Sequence, residues 1–245
     1  MSALPASTSP LLDIRGMHAG YGPIPVLRDI NLSIRPGDLT ALVGSNGAGK
    51  TTLMKAISGL IPISQGEIRI RDERTAGLSS ADIVRLGVTQ APEGRRIFSG
   101  LSVEENLKLG AFARRGKTAR DLARDLEEVY EHFPRLRERR RQLAGTMSGG
   151  EQQMCAIGRA LMGKPALLMI DELSLGLAPI IVESLLRILE AIHAQGTTIL
   201  LVEQDAGIAL GFCRTAIVLE TGSVTYTGDA ADLLSDEKLV RSYLG

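Results

Sequence analysis

The sequence predicts an α/β domain built on a parallel sheet, with an antiparallel β portion in front of it and a helical subdomain set into it. Three observations carry that prediction. The apolar run Leu39-Thr40-Ala41-Leu42-Val43 passes into the glycine-rich stretch 44–49 and then into a helical pattern over 50–58. Apolar strand patterns and helical patterns alternate from 150 to 202, which is how a parallel sheet with crossover helices reads. Between these two regions, residues 103–142 are helical in pattern and heavily charged.

Taken in order, residues 1–10 are rich in Ser, Ala and Pro and read as a loose tail in front of a domain spanning 11–245. Alternating segments over 11–34 read as strands, and Pro36-Gly37-Asp38 marks the turn that ends them. The strand at 39–43 and the helix over 50–58, which stops near Gly59, form a strand, loop and helix unit. Gly116 and Pro134 break the charged helical section, and the helical subdomain is bounded at 98–145. A helix over 150–162 leads into a strand at 166–170, a helix over 180–194 and a strand at 198–202. Residues 216–219 and 223–226, around Thr221-Gly222, read as a hairpin followed by short terminal helices.

Composition removes several classes. With 245 residues and 44% of them hydrophobic, the chain buries a core without disulfides or metals, which excludes disordered and small cross-linked scaffolds. Lys+Arg and Asp+Glu both number 28, so no general attraction to polyphosphate exists, and a nucleic-acid partner is not expected. Cys155 and Cys213 form no CxxC pair, and His18, His132 and His193 form no ligand cluster. The N-terminal stretch lacks the basic start and apolar core of a signal peptide, and no apolar run approaches membrane-spanning length.

Chemistry concentrates in three places. Gly44-Ser45-Asn46-Gly47-Ala48-Gly49-Lys50-Thr51 fits the phosphate-binding pattern GxxxxGK[ST] of the P-loop. Its glycines let backbone N–H groups turn toward phosphate oxygens, Lys50 reaches the β- and γ-phosphates, and Thr51 offers its hydroxyl to Mg²⁺. The apolar strand Leu167-Leu168-Met169-Ile170 ends in Asp171-Glu172, at the sheet edge where ligands of α/β proteins bind. Asp171 is suited to hold Mg²⁺, and Glu172 to take a proton from a water attacking the γ-phosphate. Met147-Ser148-Gly149-Gly150-Glu151-Gln152-Gln153 opens a helix, and Ser148 with Glu151 also fits the SxxE capping box. A glycine-rich helix start is a second phosphate-binding surface, expected to serve a nucleotide held by another copy.

These motifs, in this order, resemble the ATP-binding subunit of an ABC transporter over nearly the whole chain after the tail. The segments APEGRRIFSGLSVEENL (91–107), SGGEQQMCAIGRALM (148–162), LSLGLAP (173–179) and LLVEQD (200–205) resemble the LivF type, which serves branched-chain amino-acid importers. The resemblance implies a P-loop NTPase core of the RecA-like kind, with ATP and Mg²⁺ as ligands. It implies that Tyr21 stacks on adenine and that Gly44 to Thr52 hold the triphosphate. Ser148, Gly149 and Gly150 would grip the γ-phosphate of an ATP bound to the opposite subunit of a head-to-tail dimer. Glu93, rather than Gln90, takes the place where many relatives sense Mg²⁺ with Gln, because Pro92-Glu93-Gly94-Arg95 aligns better.

The chain departs from the usual pattern at several positions. Gln204 stands where most relatives carry His; it can hydrogen-bond a γ-phosphate but carries no proton as imidazolium. Ala178 replaces an Asp and Leu173 a Pro. Residues 114–141 hold ten basic and six acidic side chains, which read as a solvated face with spaced ion pairs such as Asp121 with Arg124. By resemblance, this subdomain and the loop 93–98 receive a short helix of a transmembrane permease subunit, with Phe98, Tyr130 and Phe133 either lining that groove or packing in the ordinary core. The expected assembly lies at the cytoplasmic face of the membrane, as a homodimer or a heterodimer with a second ATPase subunit, and serves a solute-binding protein indirectly. The alternatives are import of another small organic solute, or a nucleotide-gated interaction module with little hydrolysis.

Overall fold

The computed structural model describes residues 9–235. The first eight residues of the expected tail, and any terminal helix beyond Ser235, lie outside the described residues. In chain order the strands are β1 (Leu12–Tyr21), β2 (Ile24–Ile34), β3 (Leu39–Val43), β4 (Ile63–Ile70), β5 (Glu73–Arg74), β6 (Val88–Ala91), β7 (Leu167–Asp171), β8 (Thr198–Glu203), β9 (Thr215–Glu220) and β10 (Ser223–Asp229). The α-helices are α1 (Lys50–Ile57), α2 (Ser80–Arg85), α3 (Val103–Leu109), α4 (Ala119–His132), α5 (Pro134–Glu138), α6 (Gly149–Leu161), α7 (Pro179–Ala194), α8 (Ala206–Phe212) and α9 (Ala230–Ser235).

Two sheets result. One is antiparallel, in the order β2-β1-β4-β5; the other runs β10-β9-β3-β8-β7-β6. Within the second, β9, β3, β8, β7 and β6 are parallel and β10 closes an antiparallel hairpin with β9. All five residues of β3 and of β7 are buried, as expected where parallel strands are covered on both faces. Successive side chains point to opposite sides. Leu167, Met169, Leu200 and Val202 therefore join the core shared with β1, β2, β4 and α1, while Leu168, Ile170, Ile199 and Leu201 join the core beneath α3 to α7.

The helical section follows from its own periodicity. In α4, Leu126, Val129 and Tyr130, followed by Phe133 just past its end, recur at helical spacing and are all buried. Tyr130 and Phe133 are thus core residues, which decides between the two alternatives for them in favour of core packing; Phe98 alone of the three is exposed. Ion pairs occupy the outer face, Asp121 with Arg124 among them, and the buried Asp125 is held by Arg114 and Lys164. Among the described residues, no helix is long and apolar enough to cross a membrane.

Candidate functional site

Four adjacent parallel strands deliver the site. The P-loop follows β3, Asp171 and Glu172 end β7, Gln204 follows β8 and Glu93 lies just beyond β6. The register sets Val43 opposite Glu203 and Asp171 opposite Val202, so these ends are level with one another. Ligands of open α/β sheets bind at this C-terminal edge. A cavity of about 340 Å³ opens here, lined by Ser45, Asn46, Gly47, Gly49, Lys50, Thr51 and Thr52 together with Glu93, Glu172 and Gln204. Val26 and Leu175 complete the lining.

The loop is built for backbone donors. Gly49 precedes α1 in a left-handed conformation (φ 110°), and a Cβ there would stand 2.8 Å from a methyl of Leu27. A Cβ on Gly44 would meet the carbonyl oxygen of Leu219 at 2.2 Å. No side chain caps α1, and its first turn holds no acid, so its N–H groups and positive end face the cavity. Lys50 is 6% exposed; its Nζ donates to the carbonyls of Gly44 (2.7 Å) and Ser45 (3.4 Å) and lies 3.6 Å from Glu172 Oε1. A single cation thus spans the loop and the acid across from it.

The two carboxylates differ. Asp171 is 2% exposed, and burial pushes its pKa up to about 6, with the charges of Glu93 and Glu172 adding to the rise. Its Oδ1 has no hydrogen-bond partner. A buried oxygen of that kind, beside the hydroxyl of Thr51 and the carboxylate of Glu93, fits a hard divalent cation with oxygen ligands. Glu172 is more open and adopts a left-handed backbone (φ 52°) as β7 leaves the sheet, an uncommon conformation for a residue with a Cβ.

Ser148, Gly149 and Gly150 do not line this cavity. Ser148 caps α6 and forms a reciprocal box with Glu151, whose carboxylate also meets Arg139 at 2.8 Å. A Cβ on Gly149 would lie 3.1 Å from the guanidinium of Arg95, which therefore rests against this glycine. Tyr21 stands at the rim, not in the lining: it is 43% exposed, and its hydroxyl accepts from Lys55 at 3.1 Å. Gly44 and Ala48 are not in the lining, and a Cβ on Gly44 would lie 3.2 Å from that of Ala48.

Gln90 and Glu93 part company. Gln90 accepts from the Ser58 hydroxyl at 2.9 Å and faces a neighbouring depression, while Glu93 borders both that depression and the phosphate cavity. The depression, about 350 Å³, adjoins a second of about 390 Å³ through Val84, Gln90 and Arg159. The exposed Phe98, Leu109 and Phe112 edge the second one. Leu173, where relatives were expected to show Pro, is fully buried and packs in the core. Sequence reasoning missed Glu203, whose signal was a charge ending the apolar run of β8, and Arg95, whose contact with Gly149 joins distant segments.

A family model described as ABC transporter matches residues 27–174. The chain is 47% identical, over 92% of its length and 95% of the relative's, to the high-affinity branched-chain amino acid transport ATP-binding protein BraG of Pseudomonas aeruginosa. It is 36% identical to a probable branched-chain amino acid transport ATP-binding protein LivF of Archaeoglobus fulgidus, over 94% and 96% of the two chains. A solved structure described as the ATP binding subunit of an ABC transporter superposes with a TM-score of 0.81 at 31% identity, covering 96% of both chains.

Proposed function

The chain belongs to the ABC transporter family as an ATP-binding subunit, and from that membership we propose that it hydrolyses ATP to drive import of branched-chain or related amino acids. The observation that carries the ATPase reading is the convergence of the P-loop, Asp171, Glu172, Gln204 and Glu93 on one edge of four adjacent strands. The match to branched-chain amino acid transport subunits along nearly the full chain supports the solute class.

In this reading Gly44 to Thr52 wrap the triphosphate, and Lys50 exchanges its bonds to the Gly44 and Ser45 carbonyls for β- and γ-phosphate oxygens. Glu172 orients the attacking water and takes its proton as the new oxygen–phosphorus bond forms and the bond to the leaving ADP oxygen breaks. Gln204 donates its amide to the γ-phosphate, and Tyr21 stacks on the adenine. Thr51, Asp171 and Glu93 are the residues that would hold Mg²⁺, which when bound supplies positive charge against the phosphate oxygens. Catalysis is then positioning plus electrostatics.

Ser148, Gly149 and Gly150 serve the ATP of a second ATPase subunit, either a copy of this chain or a different one. The segment 98–145 acts as a helical subdomain, and the paired depressions edged by Phe98, Leu109 and Phe112 receive a short helix of a permease subunit at the cytoplasmic membrane face. Uptake of labelled leucine by vesicles holding the assembled transporter and its solute-binding protein tests the proposal. Uptake that requires ATP and stops in Glu172→Gln is expected. Uptake of a different solute alone would overturn the solute class, and ATP binding without phosphate release in the full assembly would overturn the hydrolytic reading.

A further inference from the structure

Glu203 is the last residue of β8 and is 0% exposed; the charges of Glu172 and Asp205 stand against it, and it forms no ion pair among the described residues. Its carboxylate instead accepts two bonds from one residue: Ser174 donates its N–H to Oε1 at 2.8 Å and its hydroxyl to Oε2 at 2.9 Å. Burying a carboxylate without a cation is costly, and an apolar side chain would complete a buried strand without that cost.

The place where this happens explains the choice. The backbone pairing of β7 with β8 ends where Glu172 N–H donates to the carbonyl of Val202 at 2.8 Å. Glu172 then turns left-handed, and the N–H of Ser174, two residues on, finds its acceptor in a side chain of β8 and not in its backbone. Glu203 supplies that acceptor from its side chain. The bond closes the turn in which Glu172 is strained, and Glu203 is joined covalently to Gln204. We propose that Glu203 is a positioning residue for ATP hydrolysis, clamping Ser174 so that Glu172 and Gln204 keep a fixed separation across two neighbouring strands.

The inference rests on Glu172 as the base. It is tested in the full chain, assembled with its permease subunits, using Glu203→Gln, Glu203→Asp and Ser174→Ala. The amide keeps the size of the side chain and one acceptor but turns the other into a donor, whereas Ser174→Ala removes only the hydroxyl bond. A fall in kcat of about tenfold in Glu203→Gln and about threefold in Ser174→Ala is expected, with the KM for ATP unmoved. Glu203→Asp should regain part of the loss, and the double variant should be no worse than Glu203→Gln alone, because both changes break one clamp. Amide hydrogen exchange across 172–177 should quicken in Glu203→Gln while that of β3 stays unchanged.

Wild-type kcat together with unchanged exchange in Glu203→Gln would overturn the clamp, as would a loss of kcat matched by a loss of ATP binding. If Glu203→Gln does not fold, the kcat and exchange of Ser174→Ala decide in the same way. Failure of the base is separable: Glu172→Gln would then turn over normally, while the exchange result still judges the contact between Glu203 and Ser174.

Discussion

Two helices of this chain begin at glycine-rich turns, and they are finished in opposite ways. The start of α1 has Gly49 at its cap, no capping side chain and no acid in its first turn. The start of α6 has Ser148 and Glu151 in a reciprocal box, with Glu151 drawn further to Arg139. Helix N-termini carry unpaired N–H groups and a positive end, and both kinds of completion satisfy that demand. At α1, on the proposed reading, the demand is left for a phosphate, with Lys50 and Glu172 lining the same cavity and Asp171 in the depression beside it. At α6 the chain caps its own helix, and the glycine face beyond the cap meets Arg95 rather than the cavity. Under the proposed function the first turn is a site within one chain, and the second serves a nucleotide that another subunit brings to it.

The strongest way to break that contrast is Glu172→Gln. Loss of a general base costs about 10²–10⁴-fold in rate, so phosphate release should fall by about a thousandfold while ATP affinity is kept. Size-exclusion chromatography with ATP should then show a trapped dimer. A variant that still turns over at the wild-type rate would remove Glu172 from its role.

Gly149→Ala addresses the other turn. The added methyl presses on the mobile end of Arg95, so the fold should hold. ATP binding by the chain should be unchanged, while hydrolysis falls by about a hundredfold, the scale of losing donors aimed at developing charge. A matching loss of ATP affinity, measured by calorimetry, would mean that α6 serves the cavity of its own chain and that the contrast is false. Gln204→Ala should cost less, about tenfold in kcat, because one amide contact to a charged oxygen is lost.

The parts of this architecture that were legible in the sequence are the local ones. The strand, loop and helix of the P-loop, the buried strand ending in Asp171, and the hairpin after β9 all rest on patterns within a dozen residues. The region between Gly59 and Ala91 gave no such pattern. In β4 only the last four positions alternate in burial, and α2 is a single short helix with one buried residue, Ile83. The strand order could not be read, because β3 takes its neighbours β8 and β9 from more than 150 residues further along the chain. Tyr130 and Phe133 stood open between groove and core although the deciding signal was present: their helical spacing with Leu126 and Val129 outweighs their aromatic character. In the site, residue types named the P-loop and the Asp-Glu pair, but the bond between Glu203 and Ser174 joins the end of β8 to the loop after β7, which only the parallel register makes neighbours.

The smallest expected effect is a stability slope, and it separates the two buried acids of the site. Burial raises Glu203 from 4.5 to about 7, with Glu172 and Asp205 adding to the rise and the two bonds from Ser174 opposing it. Between those values the folded state binds more protons than the unfolded one, so this group's contribution to stability falls as pH rises through the window and is level above it. Glu203→Gln carries no such proton. The Tm of the wild type relative to this variant should therefore fall between about pH 5 and about pH 8, by about 2–5 °C for a domain of this size. Asp171, raised from 3.8 to about 6 by burial and by the charges of Glu93 and Glu172, has the same sign and remains in the variant. A slope that persists below about pH 6 in Glu203→Gln is thus assigned to Asp171, and adding Mg²⁺ with ATP should flatten it, because a cation there favours the ionised carboxylate. A difference in Tm that stays flat from about pH 5 to about pH 8 would show that Glu203 is ionised throughout, with Ser174's two bonds holding the charge against burial.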